Sequence, residues 1–332
     1  MRSASREGNL ETTIEEQGEA MDMSKRDAGI VLATNGESRE AAALRFVAAE
    51  ALQTGQPVTV VHVVHGTTRV PQHNPLVFSD AEVEEQGRRI VARAAGELRD
   101  LTNGTVEVRC ETPRGGTVNH LVELSGHAKM IVLQRRDLPR AARVLSHSTT
   151  ARVAGRSMAP VASVPSSWRV DQLFVHRVVV AVGERERPSN LLGHAFEFAD
   201  QHDVGLAVVR VTGFPAAEGA ESEQELRYRR EQLLTELDQA LRPVRKRYPG
   251  VRAEIEVLEG TPVDTLLRAT GPSDLLVVGR REVVNPAYER LGTVSRAVLR
   301  SSGCPVLVIP RPFAEYLPRR SPETSAHRGR TS

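Results

Sequence analysis

The chain has 332 residues, 40% of them hydrophobic but only 4% aromatic, and its formal net charge is +2. That length has room for two domains of ordinary size with largely aliphatic cores. The near balance of charge argues against a nucleic-acid partner. Apolar runs stay shorter than the about 18 residues a membrane helix needs, and the start lacks a signal-peptide core. We therefore expect a cytoplasmic protein without a membrane partner.

The two ends and the two cysteines add little chemistry. Residues 1–26 are polar and acidic, and we predict them to be disordered, with Met21 or Met23 as alternative translation starts. Residues 312–332 form a basic, Pro- and Ser-containing tail that we also predict to be disordered. Cys110 and Cys304 make no disulfide or metal pattern, which is typical of a reducing compartment. We interpret both as small buried apolar residues.

Between these ends, strand-like and helix-like segments alternate in two rounds. Strands are predicted over 29–33, 57–64, 105–110, 130–133 and 161–164, and then over 178–182, 206–211, 252–257, 273–278 and 306–309. Helices are predicted after Ser38, from Asp80, over 118–126 and over 148–157, and then from about 189, from about 222, over 263–270 and from 292. Pro243 is predicted to kink or end the helix that starts near 222. Nearly continuous apolar strands indicate a parallel sheet covered on both faces, hence a doubly wound α/β fold.

The two rounds are a tandem repeat. Shifting the chain by 145 residues places 263–310 on 118–165 without gaps. Identical residues then occupy positions 118, 121, 126, 132, 135, 136, 153, 157, 160, 161 and 165 and their partners. We therefore predict domain 1 over 27–166 and domain 2 over 177–311, joined by a short linker.

The motifs that close the second repeat resemble the universal stress protein family in its tandem, two-domain form. They are GTVSRAVL at 292–299 and CPVLVIP at 304–310. The resemblance implies two Rossmann-like five-stranded parallel sheets in strand order 3-2-1-4-5. It also implies an intramolecular pseudo-dimer that packs through the last strands, 161–164 and 306–309.

Nucleotide-binding members of that family carry an Asp after strand 1 and Gly-x2-Gly-x9-Gly-Ser/Thr after strand 4. Such glycines let the backbone approach phosphate oxygens, and amides at the helix start donate to them. In domain 2 the pattern is kept at Gly279, Gly292 and Thr293, with Arg280 as a charged neighbour. Glu282 replaces the middle glycine and Gly183 the aspartate. A carboxylate about 5 Å from a phosphate costs roughly 3 kcal/mol at a dielectric near 20, about a hundredfold in affinity.

Domain 1 departs further from the pattern. Its three glycine positions hold Gln134, Asp137 and His147, and Ser148 alone matches. Asn35 stands in the place of the aspartate and can still hydrogen-bond a ribose. We expect nucleotide binding to be lost here, and weak or lost in domain 2, where ATP or AMP is the candidate cofactor.

Other clusters are weaker candidates. His62, His65 and His73 lie near one strand end, but neither Cys nor carboxylate joins them at a known metal spacing, so we predict no metal site. The hydroxyl residues at 146–150 are interpreted as helix caps, and we predict no catalytic residue.

Three functions remain open from the sequence. The first is a non-enzymatic stress-response regulator that acts through an unidentified regulatory protein, with a homodimer left open. The second is an ATP or AMP sensor that uses domain 2 only. The third is a slow ATPase. It has the least support, because we find no carboxylate pair or lysine in the sequence placed for metal-phosphate chemistry.

Overall fold

A computed structural model describes residues 27–36, 40–65, 79–136, 149–169, 175–183, 188–213, 223–280 and 291–310. The predicted disordered ends, 1–26 and 312–332, lie outside these residues. So do Ser38, His73, Asp137, His147, Ser148 and Glu282. Within the described residues, no helix is long and apolar enough to cross a membrane.

Domain 1 alternates strand and helix as predicted. Its elements are β1 (Gly29–Ala33), α1 (Ala41–Thr54), β2 (Val58–Val61), α2 (Asp80–Leu101), β3 (Val108–Glu111), α3 (Thr117–Leu124), β4 (Ala128–Arg135), α4 (Thr149–Arg156) and β5 (Val161–Pro165). A capping box starts α2, in which the Ser79 hydroxyl accepts from the Glu82 amide and the Glu82 carboxylate accepts from the Ser79 amide.

Domain 2 repeats the order. Its elements are β6 (Arg177–Ala181), α5 (Ser189–His202), β7 (Gly205–Thr212), α6 (Glu223–Arg247), β8 (Ala253–Glu259), α7 (Pro262–Ala269), β9 (Asp274–Gly279), α8 (Thr293–Ser301) and β10 (Val306–Ile309). Pro243 does not end α6, which continues to Arg247. Leu237 and Leu241 bury one side of this helix in the core, and such tertiary packing outweighs the lost backbone hydrogen bond.

The sheet confirms the doubly wound fold and the strand order. The strands run β3-β2-β1-β4-β5-β10-β9-β6-β7-β8, so each half has the order 3-2-1-4-5 with parallel neighbours. One correction is needed, because the halves are not separate sheets. The last strands β5 and β10 pair antiparallel, with Leu307 opposite Ala162, and join them into one ten-stranded sheet. The predicted contact between the last strands is therefore a backbone pairing.

Each face of this sheet carries a core that runs through both domains. Helices α1, α2, α5 and α6 cover one face, with Phe46 and Phe196 among the buried side chains. Helices α3, α4, α7 and α8 cover the other, with Leu121 and Leu299. Because both cores cross the junction, the two domains are packed as one body.

Side chains from the linker and from α1 and α5 fasten the junction on the first face. Trp168 is buried, packs edge-on against Phe46 at 5.8 Å between ring centroids, and donates from Nε1 to the Pro272 carbonyl at 3.0 Å. Nearby, His202 Nε2 lies 2.8 Å from Glu50 Oε2, with both side chains almost fully buried. These contacts tie the linker and both domains together.

Candidate ligand sites at the carboxyl ends of the strands

The carboxyl end of the domain 1 sheet carries a row of three polar residues. The register between β1 and its neighbours β4 and β2 ends at the same level on all three strands. The next residues, Gln134, Thr34 and His62, therefore lie side by side. We call these three residues the domain 1 end row. Their strands place them on the face that α1 and α2 cover. Ligands of doubly wound folds bind above such strand ends.

Two of these side chains are engaged at the start of α1. Glu40, 7% exposed, precedes the helix, and its carboxylate accepts from the Thr34 hydroxyl and from the Asn35 amide at 2.8 Å. The Gln134 side-chain oxygen accepts from the Ala43 amide at 3.2 Å. The helix start therefore already has oxygen acceptors from the protein, and one of them belongs to a carboxylate.

A cavity of about 770 Å³ nevertheless lies at this edge. Its lining includes the domain 1 end row, the apolar side chains of Ile90 and Leu121, and Arg300 from domain 2. The volume falls in the range of small-molecule sites, about 300–1,000 Å³. Loss of the signature glycines has therefore not closed the edge of domain 1, and the buried Glu40 carboxylate sets its chemistry.

The corresponding row in domain 2 is Gly279, Val182 and Arg210, which we call the domain 2 end row. The register of β9, β6 and β7 makes these residues level. Helices α1 and α5 have the same length of 14 residues, and Pro188 precedes α5 where Glu40 precedes α1. Val182 stands where domain 1 has the Thr34 hydroxyl, and Gly279 stands where it has the Gln134 amide. With Pro188 in the place of Glu40, these three positions of domain 2 supply no carboxylate and no side-chain acceptor.

The structure brings the predicted glycines of domain 2 to the start of α8. Gly292 is the N-cap of that helix, without a side-chain cap, and Thr293 is its first residue. The Ser295 hydroxyl donates to the Gly279 carbonyl at 3.0 Å, which holds the end of β9 against the first turn. Gly292 has φ −65°, which any residue can adopt, so the backbone conformation does not by itself require glycine there. A nucleotide role for these residues stays a prediction.

Arg280, the charged neighbour of the predicted glycines, extends toward the junction between the domains. Its side chain is buried, at 3% exposure, and reaches into domain 1. Nη1 donates to the Ser157 carbonyl at 2.7 Å and to the Gly155 carbonyl at 3.4 Å, at the end of α4. Helix C-terminal carbonyls attract a cation. The sequence could not show this contact because its partners lie in the other domain.

Arg135, the repeat partner of Arg280, makes the reciprocal contact. Its Nη1 donates to the Arg300 carbonyl and its Nη2 to the Ser302 carbonyl, at the end of α8. The shift of 145 residues that relates the arginines also relates their acceptors. Each arginine lies at the carboxyl end of strand 4 of its own domain, and its guanidinium contacts the last helix of the other domain.

Other candidates from the sequence have different outcomes. Asn35 lies at the cavity, where its backbone amide donates to Glu40. His62 Nδ1 lies 2.9 Å from the Thr34 carbonyl oxygen, and His65 Nε2 lies 3.3 Å from the Thr117 hydroxyl. Ser148 falls outside the described residues, just before α4.

The two cysteines differ. Cys304 is 1% exposed, as predicted, and burial raises the pKa of its thiol. Cys110 is exposed, so the prediction of a buried residue is wrong. It lies on β3, which has one strand neighbour and leaves its other side open.

Sequence reasoning missed Glu40 and Arg210. Glu40 stands six residues after Thr34, at a distance where a side chain can return to cap the preceding loop. Arg210 interrupts the apolar run at 206–211. A charge at that point of a buried strand was the available signal.

The fold defines a tandem doubly wound α/β protein, with a cavity at the carboxyl end of the domain 1 strands. Comparison with known sequences gives the family. The "Universal stress protein family" matches residues 29–165 and 175–310. The chain therefore belongs to the universal stress protein family and contains two of its domains.

Relatives have the same tandem length. The chain is 29% identical over 294 residues to a universal stress protein of Mycobacterium tuberculosis, covering 87% of this chain and 99% of the relative. It is 27% identical over 305 residues to one of Mycolicibacterium smegmatis, covering 87% and 99%. The crystal structure of a universal stress protein from Archaeoglobus fulgidus aligns with a TM-score of 0.61 at 18% identity, over 87% of this chain and 98% of that one, which shows the shared fold.

Proposed function

We propose that this tandem universal stress protein is a non-catalytic stress-response regulator that acts by binding another protein. ATP or AMP, where it binds, occupies domain 2 alone and weakly. The observation that carries the proposal is the contrast between the carboxyl ends of the strands in the two domains: the buried Glu40 carboxylate lines the domain 1 cavity, whereas domain 2 has Pro188 in the place of Glu40 and Gly279 held against the first turn of α8.

The electrostatic reason is simple. A phosphate in the domain 1 cavity would face the buried Glu40 carboxylate, and like charges a few ångströms apart repel by several kcal/mol at an effective dielectric near 20. In domain 2 the N-cap of α8 is Gly292, which has no side chain that could accept from the amides at the helix start. Such amides suit a phosphate, because the helix dipole favours negative charge there.

Mass spectrometry of nucleotide released from freshly purified protein tests the proposal. We expect ATP or AMP at no more than one molecule per chain, and none from Gly292→Val, since the added side chain fills the space at the helix cap. Gly303→Ala is the matched control, because an added methyl group there meets nothing within 4 Å. Nucleotide retained by Gly292→Val, or two molecules per chain, contradicts the proposal. If the parent protein releases no nucleotide and shows no heat of binding on titration with ATP, the nucleotide part of the proposal is wrong.

The non-catalytic part has its own test. Incubation of the protein with ATP and magnesium should release phosphate no faster than buffer does. Release that scales with protein concentration and disappears in Gly292→Val would favour the ATPase instead.

A further inference from the structure

Among the described residues, Arg210 is a buried cation with few partners. It lies on β7 and is 3% exposed. Its Nε and Nη1 atoms are buried and find no hydrogen-bond partner in the described part of the chain. Nη2 lies 3.9 Å from Glu236 Oε1, and that carboxylate belongs to a side chain that is 67% exposed on α6. The guanidinium stays charged at any physiological pH.

Such an arrangement is unfavourable for the fold by itself. Burial of an unpaired charge is strongly destabilising, and a long contact to a solvated carboxylate offsets little of that. Buried polar atoms without partners are uncommon in native proteins, and charged ones concentrate where a ligand or substrate binds. Arg210 therefore has the features of a ligand contact.

Its place in the sheet points the same way. Arg210 is level with Val182 and Gly279 in the domain 2 end row, and these three strands are adjacent. Two strand spacings of about 4.8 Å put the Arg210 and Gly279 backbones about 10 Å apart. Arg210 continues the face of Leu206 and Val208, the face on which Val182 is buried. The side chain that Gly279 lacks would project to that same face.

The repeat supplies an independent comparison. His62 holds the position of Arg210 in domain 1, and His62 lines the cavity there. The same position of the fold thus holds a residue that lines a cavity in domain 1. In domain 2 it holds a buried cation whose Nε and Nη1 lack partners among the described residues.

We infer that Arg210 forms an anion subsite in domain 2 that binds a carboxylate or phosphate group of a small ligand. The inference rests on the proposed function for the location of the ligand edge, and it adds a second anchoring point about 10 Å from Gly279. A guanidinium matches either anion, because its paired N–H groups fit two oxygens at once.

Thermal unfolding with two probes tests the subsite. Inorganic phosphate and malonate, each at matched ionic strength against chloride, are added to the parent, Arg210→Met, Glu236→Gln and Gly303→Ala. A saturating anion should raise the melting temperature of the parent by roughly 5 °C. Glu236→Gln and Gly303→Ala should keep the shift and Arg210→Met should lose it. The probe that gives the larger shift identifies the preferred anion.

Without added anion, Arg210→Met should be at least as stable as the parent, because an apolar side chain of similar length replaces an unpaired buried charge. If Arg210→Met and Glu236→Gln both lower the melting temperature strongly, the pair is structural and the inference fails. It also fails if Arg210→Met keeps the anion shift or if the parent shows none.

The outcomes separate the subsite from nucleotide binding. If the parent fails to bind ATP but shows an anion shift that depends on Arg210, the proposed nucleotide role falls and the subsite stands. If ATP binds and depends on Gly292 but the anion shift is absent, the reverse holds.

Discussion

The two domains share one scaffold and differ in three side chains at the carboxyl end of the sheet. Domain 1 places Gln134, Thr34 and His62 there, with the Glu40 carboxylate bonded to the following loop. Domain 2 places Gly279, Val182 and Arg210 at the same level. The same strand order and similar helices therefore support two sheet ends whose buried side chains carry opposite charge. One edge carries a buried negative charge and the other a buried positive charge.

The arginines that cross the junction show the opposite behaviour, because both repeats keep them. Arg135 and Arg280 each donate to carbonyls at the end of the other domain's last helix. These contacts connect the strand that leads to one ligand edge with a helix that begins at the other edge. The scaffold is symmetric where the domains hold each other and asymmetric at the carboxyl ends of the strands, where we propose that ligands bind.

We expect the largest change in the free energy of unfolding from substituting the two arginines that cross the junction. Arg280→Met removes a buried charged donor and leaves the Ser157 and Gly155 carbonyls without it, so we expect a loss of about 3 kcal/mol in the free energy of unfolding. Arg135→Met should cost less, about 2 kcal/mol, because Arg135 is only half-buried. Urea unfolding measures both. A larger loss for Arg135→Met, or less than about 1 kcal/mol for either variant, would show that the crossing contacts do not hold the junction.

The next effect concerns the acidic edge of domain 1. Glu40→Ala removes the acceptor for the Thr34 hydroxyl and the Asn35 amide, and we expect a loss of about 2 kcal/mol. Pro188→Ala at the matched position of domain 2 should change stability by less than about 0.5 kcal/mol. Urea unfolding of the two variants compares the helix starts directly, and equal losses would mean that Glu40 has no special role.

A smaller effect is expected from exchanging one member of the end rows. Gly279→Gln puts the domain 1 side chain into domain 2 and should weaken ATP binding about tenfold, because it fills space at the domain 2 end row. Gln134→Gly should not create a second ATP site, since Glu40 remains. Equilibrium dialysis with labelled ATP measures both, and a second site in Gln134→Gly would show that the glutamine alone closes domain 1.

The smallest effect is a pH dependence at His194 on α5. Burial lowers the pKa of His194 below its ordinary value of 6.5, and the Glu197 carboxylate raises it in part. The unfolded chain therefore takes up a proton first, and the folded protein loses stability as the pH falls below about 6.5. His194→Asn should lose less than the parent between pH 8 and pH 5.5 in thermal melts. Identical losses would remove His194 from the acid response.

The sequence predicts most of the fold because apolar strands and the gapless repeat specify the alternation, while the contact between the last strands was expected from the family resemblance. Pro243 does not end α6, because packing of Leu237 and Leu241 is a tertiary effect that the local sequence does not show. Arg280 could not be placed because its acceptor carbonyl at Ser157 lies 123 residues away in the chain. Arg210 was visible as a charge in an apolar strand, but its burial, and the lack of hydrogen-bond partners for Nε and Nη1 among the described residues, depend on tertiary packing.

Titration calorimetry with ATP on the parent, Gly292→Val and Glu282→Gly tests the asymmetry most directly. We predict one site per chain in the parent, no binding by Gly292→Val, and tighter binding by Glu282→Gly, up to about a hundredfold because a carboxylate near the phosphates is removed. Two sites per chain in the parent, or binding that survives Gly292→Val, would contradict the claim that nucleotide binds in domain 2 alone.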